Sequence, residues 1–339
     1  MKVKIAVAGG VTGGHLYPAL SVLEFLSEKV DTEVLYFTVK GKLEEKVLSE
    51  SKYRTYSLNV QGLIRPIYSF KNIPRVLKIF NNKKRVLKKL KEFNPDIVFV
   101  TGGYVSYPVG LSAYKLNIPL YIHEQNVIPG LSNLKLSKFA EKIFVSFESS
   151  IDYFPEDVKE KIIVSGNPVR IKTKGELKFE TPTILIVGGS GGSEFLNELA
   201  CKLANKMKNY NFILSSGGKK VKCKEKNLKV FPYIDNMYDY YRSISCAITR
   251  GGATTIYELL YFEVPSIVIP WEGSTESHQI ENAKQIVKSK LGYMIKEKEV
   301  NLNDLVSKIE ILVQRERKIL NKKNPAKIIV EEILKEVKK

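Results

Sequence analysis

Cysteine and histidine are scarce in this chain of 339 residues, with three of each. Cys201, Cys223 and Cys246 are odd in number and lack metal-like spacing, which argues against a disulfide framework and suits a reducing compartment. His15, His123 and His278 are too widely separated for a local metal pattern, so no metal site is expected from them. No apolar run approaches the roughly 18 residues of a spanning helix. The short run in "MKVKIAVAGG" ends in glycines rather than a cleavage site, so no secretory signal is expected. No glycine loop closes with Gly-Lys-Ser/Thr, which disfavours nucleotide triphosphate hydrolysis. Asp-x-Asp is also missing, so a diphosphate held here need not be clamped by a metal.

Acidic residues are the most unevenly missing. Lys and Arg number 54 against 36 Asp and Glu, a net charge of +18, which implies an anionic partner: nucleic acid, phosphorylated substrate or membrane surface. Residues 51–91 carry Lys52, Arg54, Arg65, Lys71, Arg75, Lys78, Lys83, Lys84, Arg85, Lys88, Lys89 and Lys91 with no Asp or Glu among them. The basicity is therefore a patch.

What is present is a plan stated twice. "KIAVAGGVTGGHLYPALSVLEFL" reads as strand, glycine loop and helix, and "TILIVGGSGGSEFLNELACKLA" repeats that order. "DIVFVTGGYVSYPVGLSAYKLNIPLYIHE" is matched in the same way by "CAITRGGATTIYELLYFEVPSIVIPWEG". Alternating strands and helices favour parallel sheets covered on both faces. The expected fold is α/β, with two Rossmann-like domains facing each other across a cleft. Gly, Pro and Lys replace apolar periodicity around residues 164–182, which places the boundary there. The expected domains are 1–165, 166–320 and a helix in 321–339 that folds back on the first half. Its stripe is read as Ile328, Ile329, Ile333, Leu334 and Val337.

All four glycine loops follow predicted strands, where open parallel sheets hold ligands. A glycine loop entering a helix offers backbone N–H groups and the positive end of the helix dipole to a phosphate. A dinucleotide dehydrogenase fits poorly, because the second strand ends at Lys40 where an acidic residue would take the ribose; NADP is weakened rather than removed. Two matched domains suit a nucleotide-diphospho-sugar enzyme instead. His15, in "GGVTGGHLYPAL", is then a catalytic base or a substrate contact, against the plainer alternative that it braces the first helix.

Taken together, "GGVTGGHLYPAL", "GGYVSYPVGLSAYKLNIPLYIHEQNVIPGLSN", "GNPVR", "GGSGGS" and "RGGATTIYE" followed by "HQIENA" resemble the MurG family of peptidoglycan glycosyltransferases. The resemblance runs to about Tyr293 and implies a GT-B fold. It implies transfer of N-acetylglucosamine from its UDP donor to the 4-hydroxyl of the muramoyl sugar of lipid I, with inversion, giving lipid II for cell-wall synthesis and hence cell shape and division. No cofactor and no essential metal are implied. His15 and Glu124 are the candidate bases, and the resemblance does not choose between them. Thr12, Gly13, Gly14 and Asn126 fall at the donor's sugar and diphosphate side, Arg170 contacts or positions the donor, and Ser190 donates to phosphate. Ile234 meets uracil through its backbone; Ala253, Thr254, Thr255, Ile256 and Tyr257 bring helix amides to phosphate. Glu258 accepts from the ribose hydroxyls and Gln279 binds the transferred sugar. Gly191, Gly192 and Ser193 depart from the family's usual Gln-Gly-Ala, and Gly251 replaces a common Ser.

Lipid I lies in the cytoplasmic leaflet, so the implied location is peripheral, on the cytoplasmic side of the cell membrane. The basic segment interleaves Ile73, Val76, Leu77, Phe80, Val86, Leu87 and Leu90 at near-helical spacing, preceded by Leu63, Ile64, Ile67, Tyr68 and Phe70. Such a segment suits an anionic membrane surface. The helix interior is expected in the core, and "LIRPIYSF" at the surface. No nucleic-acid module is recognisable in it, so nucleic acid is not the expected partner.

Overall fold

The computed structural model describes residues 2–64, 68–170, 175, 177–273, 278–317 and 323–338. Two compact units divide the chain: Met1–Arg170 together with Lys323–Lys339, and Ile171–Lys322.

The first unit comprises β1 (Lys2–Gly9), α1 (Gly13–Lys29), β2 (Asp31–Val39), α2 (Leu43–Leu48), β3 (Arg54–Leu58), α3 (Ile73–Phe93), β4 (Ile97–Gly102), α4 (Ser106–Lys115), β5 (Leu120–Glu124), α5 (Leu131–Leu136), β6 (Lys142–Val145) and β7 (Ile162–Val164). Its strands form one parallel sheet in the order β3-β2-β1-β4-β5-β6-β7. A parallel sheet covered on both faces needs apolar side chains on both. In β1, Val3, Ile5 and Val7 join Leu16, Leu23 and Leu26 of α1 on one face. Ala6 and Ala8 turn the other way, toward a cluster holding Leu90 of α3 and Val109 of α4.

The second unit comprises β8 (Thr183–Val187), α6 (Glu194–Lys206), β9 (Asn211–Ser215), β10 (Leu228–Phe231), α7 (Met237–Ser243), β11 (Cys246–Thr249), α8 (Ala253–Tyr261), β12 (Ser266–Val268), α9 (His278–Lys288), β13 (Gly292–Met294) and α10 (Leu302–Val313). Its parallel sheet runs β10-β9-β8-β11-β12-β13, the same order as the first sheet counted from each unit's opening strand. The duplicated sequence plan is thus a duplicated topology.

The division falls at 170/171 rather than 165/166, for a local reason. The Val169 carbonyl accepts from Ser21 Oγ at 3.1 Å and Asn324 Nδ2 at 2.7 Å, so "GNPVR" is stitched to the first unit. The last helix, α11 (Pro325–Val337), returns to α1. Asn324 caps it by accepting from Ala326 N, with Pro325 at the first helical position. Its buried stripe is Ala326, Ile329, Val330 and Ile333, with Leu334 and Val337 packed beside it. Ile328, expected on this stripe, lies off it, because positions three and four apart share a face and 328 is out of step with 326, 330 and 333. Among the described residues no helix is long and apolar enough to cross a membrane.

Within the basic segment, Val86, Leu90 and Phe93 of α3 are buried, whereas Tyr68 and Phe70 are 88% and 87% exposed and Ile73 and Leu77 more than half exposed. Arg65, Ile67 and the side chain of Phe80 lie outside the described residues. Asn72 both accepts from Ile64 N and donates to Ile64 O at 2.7 Å, and Asn82 donates to Asn59 O at 2.9 Å, tying the preceding loop to α3.

Ile329 has no exposed surface in its cluster, so Ile329→Ala should cost about 2–5 kcal/mol through lost burial and a cavity. Urea unfolding of the first unit is the measurement; a loss below about 1 kcal/mol would show that α11 is dispensable to that core.

Candidate active site at the carboxyl ends of the central strands

In each sheet the strand order reverses between two neighbours, β1 and β4 in one, β8 and β11 in the other. Helices leave such a pair toward opposite faces, which opens a crevice at the carboxyl ends. The four glycine loops follow these four strands: residues 9–14, 102–103, 188–192 and 251–252. Helices α6, α10 and α11 are capped by side chains, but α1 and α8, which start at these loops, are not, and neither has an acidic residue in its first turn. Their first amides are therefore available to an anion.

In the first unit Thr12 is the exposed N-cap of α1, and Gly13, Gly14 and His15 form its first turn. Val11 holds φ 75, a left-handed backbone that costs a β-branched residue on the order of 1–3 kcal/mol. Glu44, which sequence reasoning missed, offsets this. Its carboxylate is fully buried and accepts from Val11 N at 2.8 Å and Val39 N at 3.0 Å, binding the loop to the end of β2. The signal for it was weak, since an acid near the start of a short helix is ordinary.

His15 is half-buried, and its Nδ1 lies 2.9 Å from the Thr101 carbonyl and 2.8 Å from Gln125 Oε1. Gly102, at φ +102, makes room for the ring: a Cβ there would sit 3.0 Å from both Cε1 and Nδ1 of His15. Glu124, the other candidate base, is 1% exposed and takes four donors. Asn126 N and Nδ2 reach Oε1 at 2.9 and 3.1 Å; Gly130 N and Asn133 Nδ2 reach Oε2 at 3.0 and 2.8 Å. Its oxygens thereby tie the loop after β5 together and hold Asn126.

Arg170 sits bidentate on Glu24 of α1, with Nε 2.9 Å from both carboxylate oxygens, so it pins "GNPVR" beside the first helix. Asn167 of the same motif is 1% exposed, and neither of its amide atoms has a hydrogen-bond partner among the described residues. A buried amide left so costs about 1–3 kcal/mol.

In the second unit, Ser190 is exposed in the third glycine loop, and a Cβ on Gly189, Gly191 or Gly252 would meet open space. Ser193, one of the family departures, caps α6 by accepting from Leu196 N and also accepts from Arg250 Nε and Nη2 at 3.2 and 2.8 Å. Gly251, another, approaches α9 so closely that a Cβ would lie 2.1 Å from the Gln279 carbonyl, which leaves no space for serine. Gln279 Oε1 accepts from Gly251 N at 3.1 Å and Trp271 N at 2.9 Å, which makes this side chain a brace between loops.

Ala253, Thr254, Thr255, Ile256 and Tyr257 form the opening turns of α8, and Glu258 follows. Glu258 accepts from the phenols of Tyr238 at 3.1 Å and Tyr241 at 3.2 Å, both on α7. Burial pushes its carboxyl up to about 7, although both phenols work in the opposite sense. Ile234 is half-buried in the segment between β10 and α7. Arg317, far off in sequence and unremarked there, donates to the carbonyls of Tyr241, Ile244 and Phe262 at 2.5, 2.6 and 2.8 Å and so fastens the end of α7 to the end of α8. Among the described residues no group of three or more His, Cys, Asp or Glu is arranged to hold a metal.

Residues 5–145 match the family model described as the glycosyltransferase family 28 N-terminal domain, and residues 183–337 match its C-terminal domain. A protein of Thermosipho melanesiensis named UDP-N-acetylglucosamine--N-acetylmuramyl-(pentapeptide) pyrophosphoryl-undecaprenol N-acetylglucosamine transferase is 66% identical over 337 residues, 99% of this chain and 100% of its own length. A relative of the same name from Thermotoga maritima is 44% identical and covers 99% of both chains. Among solved structures, Acinetobacter baumannii MurG matches with a TM-score of 0.74 at 24% identity, over 99% of this chain and 100% of that one. The UDP-GlcNAc 2-epimerase of Methanocaldococcus jannaschii matches at 0.67 and 15%, over 99% and 100%. These structural likenesses give the fold, which is GT-B.

The raised carboxyl of Glu258 makes stability depend on pH. Its folded value, about 7, lies above the ordinary 4.5. The folded state therefore prefers the protonated form, a contribution fully present below the unfolded value and lost as pH rises through the folded one. Glu258→Gln should raise the melting temperature at pH ~8 and leave it little changed at pH ~4.5. An equal shift at both would mean that the carboxylate is not held at a cost.

Proposed function

The chain belongs to glycosyltransferase family 28, and on that footing we propose that it transfers N-acetylglucosamine from UDP-N-acetylglucosamine to the 4-hydroxyl of the muramoyl sugar of lipid I, forming lipid II with inversion at the anomeric carbon. The observation that carries this reading is the 66% identity over 99% of the chain to a transferase of that name. A donor-epimerase activity, suggested by the likeness to a UDP-GlcNAc 2-epimerase, would rest on fold alone, at 15% identity.

In the proposed step His15 Nε2 takes the proton of the acceptor hydroxyl, the oxygen attacks the anomeric carbon, and the bond to the diphosphate breaks with its electron pair leaving on UDP. His15 is the better base because its Nδ1 is held while Glu124 already takes four donors. Thr12, Gly13, Gly14 and Asn126 lie along the donor's sugar and diphosphate. Ser190 and the amides of Ala253, Thr254 and Thr255 receive the diphosphate, where uncapped N–H groups stabilise the charge that develops on the leaving group, while Ile256, whose N–H already donates to the Gly252 carbonyl at 2.9 Å, and Tyr257 continue the helix behind them. Glu258 accepts from the ribose hydroxyls, Ile234 meets uracil through its backbone, and Gln279 orders the loops that hold the transferred sugar. Arg170 positions the donor indirectly, through its pairing with Glu24.

The exposed Tyr68, Phe70, Ile73 and Leu77, with Lys71 beside them in sequence and exposed Lys84, Arg85 and Lys88 further along α3, support peripheral attachment to the anionic cytoplasmic face of the membrane. Apolar side chains would enter the headgroup boundary while each basic residue adds about 1 kcal/mol of attraction. Burial, and Lys115 of α4 close by, hold the Lys83 ammonium below the ordinary lysine value.

Incubation with radiolabelled UDP-N-acetylglucosamine and a lipid I analogue should give one labelled lipid product. His15→Ala should lower kcat by about a hundredfold to ten-thousandfold with little change in donor KM. Label released as free or isomerised sugar without acceptor would replace the transferase reading with a hydrolase or epimerase. For the membrane face, exchanging Lys71, Lys84, Arg85 and Lys88 for Gln should weaken binding to anionic vesicles by at least about tenfold at low salt. Undiminished binding would move attachment to another surface.

A further inference from the structure

The proton on His15 has a position, and the residues that fix it reach back to "GNPVR". We propose that His123 and Gln125 are positioning residues for the transfer reaction: starting from the Gly166 carbonyl, they fix the His15 proton on Nδ1 and leave Nε2 as the basic nitrogen. This rests on the reading of His15 as the base.

The argument follows donors and acceptors outward from a group with no choice. The Gly166 carbonyl can only accept, and His123 Nε2 lies 3.0 Å from it, so that nitrogen carries a hydrogen. His123 is fully buried on β5, and burial holds its pKa down at about 4, so the ring is neutral and its Nδ1 is a lone pair. Gln125 Nε2, 2.9 Å from that Nδ1 and 3.2 Å from the His123 carbonyl, donates to both. The amide is thereby oriented, and its Oε1 faces His15 Nδ1 at 2.8 Å. The Thr101 carbonyl approaches the same nitrogen at 2.9 Å. Facing two acceptors, Nδ1 must bear the proton, and neutral His15 then keeps its lone pair on Nε2, to which no group among the described residues bonds.

The relay is conditional on a neutral His123. A second proton on that ring would point an N–H at the Gln125 amide, turn it over, and set its NH₂ group against the Nδ1–H of His15. The other ionisable side chain of this strand end, Glu124, is turned to Asn126, Gly130 and Asn133. From β4 the hydrogen bonds to His15 come from Thr101, whose carbonyl meets the ring and whose hydroxyl donates to the His15 carbonyl at 2.7 Å.

Nitrogen NMR of the full chain labelled with ¹⁵N-histidine, at a pH above the titration of both rings, tests the assignment directly. His15 is expected to show a pyrrole-type Nδ1 and a pyridine-type Nε2, and His123 the reverse. A proton on His15 Nε2 overturns the proposal. The functional arm uses Gln125→Glu, whose carboxylate still accepts from His15 Nδ1 but stabilises the imidazolium. The acid limb of the kcat/KM profile should then rise by at least about one pH unit, with donor KM little changed. A purely structural role for Gln125 would lower activity without moving that limb, and an unmoved limb overturns the coupling. Should the unaltered protein fail to glycosylate any lipid-linked muramoyl acceptor, the functional reading falls, and the NMR result still upholds or overturns the relay by itself.

Discussion

The pairing of β1 with β4 is the constraint on which the first unit's chemistry depends. The two strands run in register from Ile5 with Ile97 to Ala8 with Val100, then shift so that Gly9 meets Gly102. At that shift the chain on one side turns into α1 and on the other into α4, and the space between the departing loops receives the imidazole of His15. Neither loop could approach the other if its first residue carried a side chain: a Cβ on Gly9 would collide with Thr101 Oγ1 at 1.7 Å. The second unit builds the same divergence from β8 and β11.

Several locally unfavourable features lie near the carboxyl ends of the strands. Below the sheets' carboxyl edges, apolar side chains fill both faces of each sheet and leave little to explain. At the edges sit a left-handed valine, a buried carboxylate under it, an unpartnered asparagine amide and a glutamate held near neutrality. The valine backbone, the asparagine amide and the raised carboxyl each cost stability by themselves, and Glu44 offsets part of the first. Strain and unmet hydrogen bonds of this kind persist where the surrounding fold over-determines them, and the rigid central strands do so here.

Two departures from the family pattern have structural reasons. Ser193 serves the start of α6 and the guanidinium of Arg250 at once, so a hydroxyl is useful where an alanine is common. Gly251 lets the first turn of α9 approach the fourth glycine loop, which brings Gln279 Oε1 onto the Gly251 and Trp271 amides.

The sequence by itself determined the architecture and the neighbourhood of the site. Parallel strands buried on both faces must be written as apolar runs, glycine turns must follow them where backbones crowd, and two copies of that pattern are visible in one chain. Local rules also singled out His15, which lies in its glycine loop, whereas the family resemblance pointed to Glu258 and the start of α8. Only the tertiary structure shows what surrounds them. Glu124 is surrounded by donors brought by Gly130 and Asn133 after a turn of chain, Arg170 meets a glutamate 146 positions away, and Gln125 reaches His15 across 110. Glu44 and Arg317 left no mark in the sequence because their partners are backbone groups, an N–H or a carbonyl that every residue carries. A pattern of residue types records which surfaces are apolar and where the backbone must turn; which nitrogen holds a proton depends on acceptors that meet only when the sheet has formed.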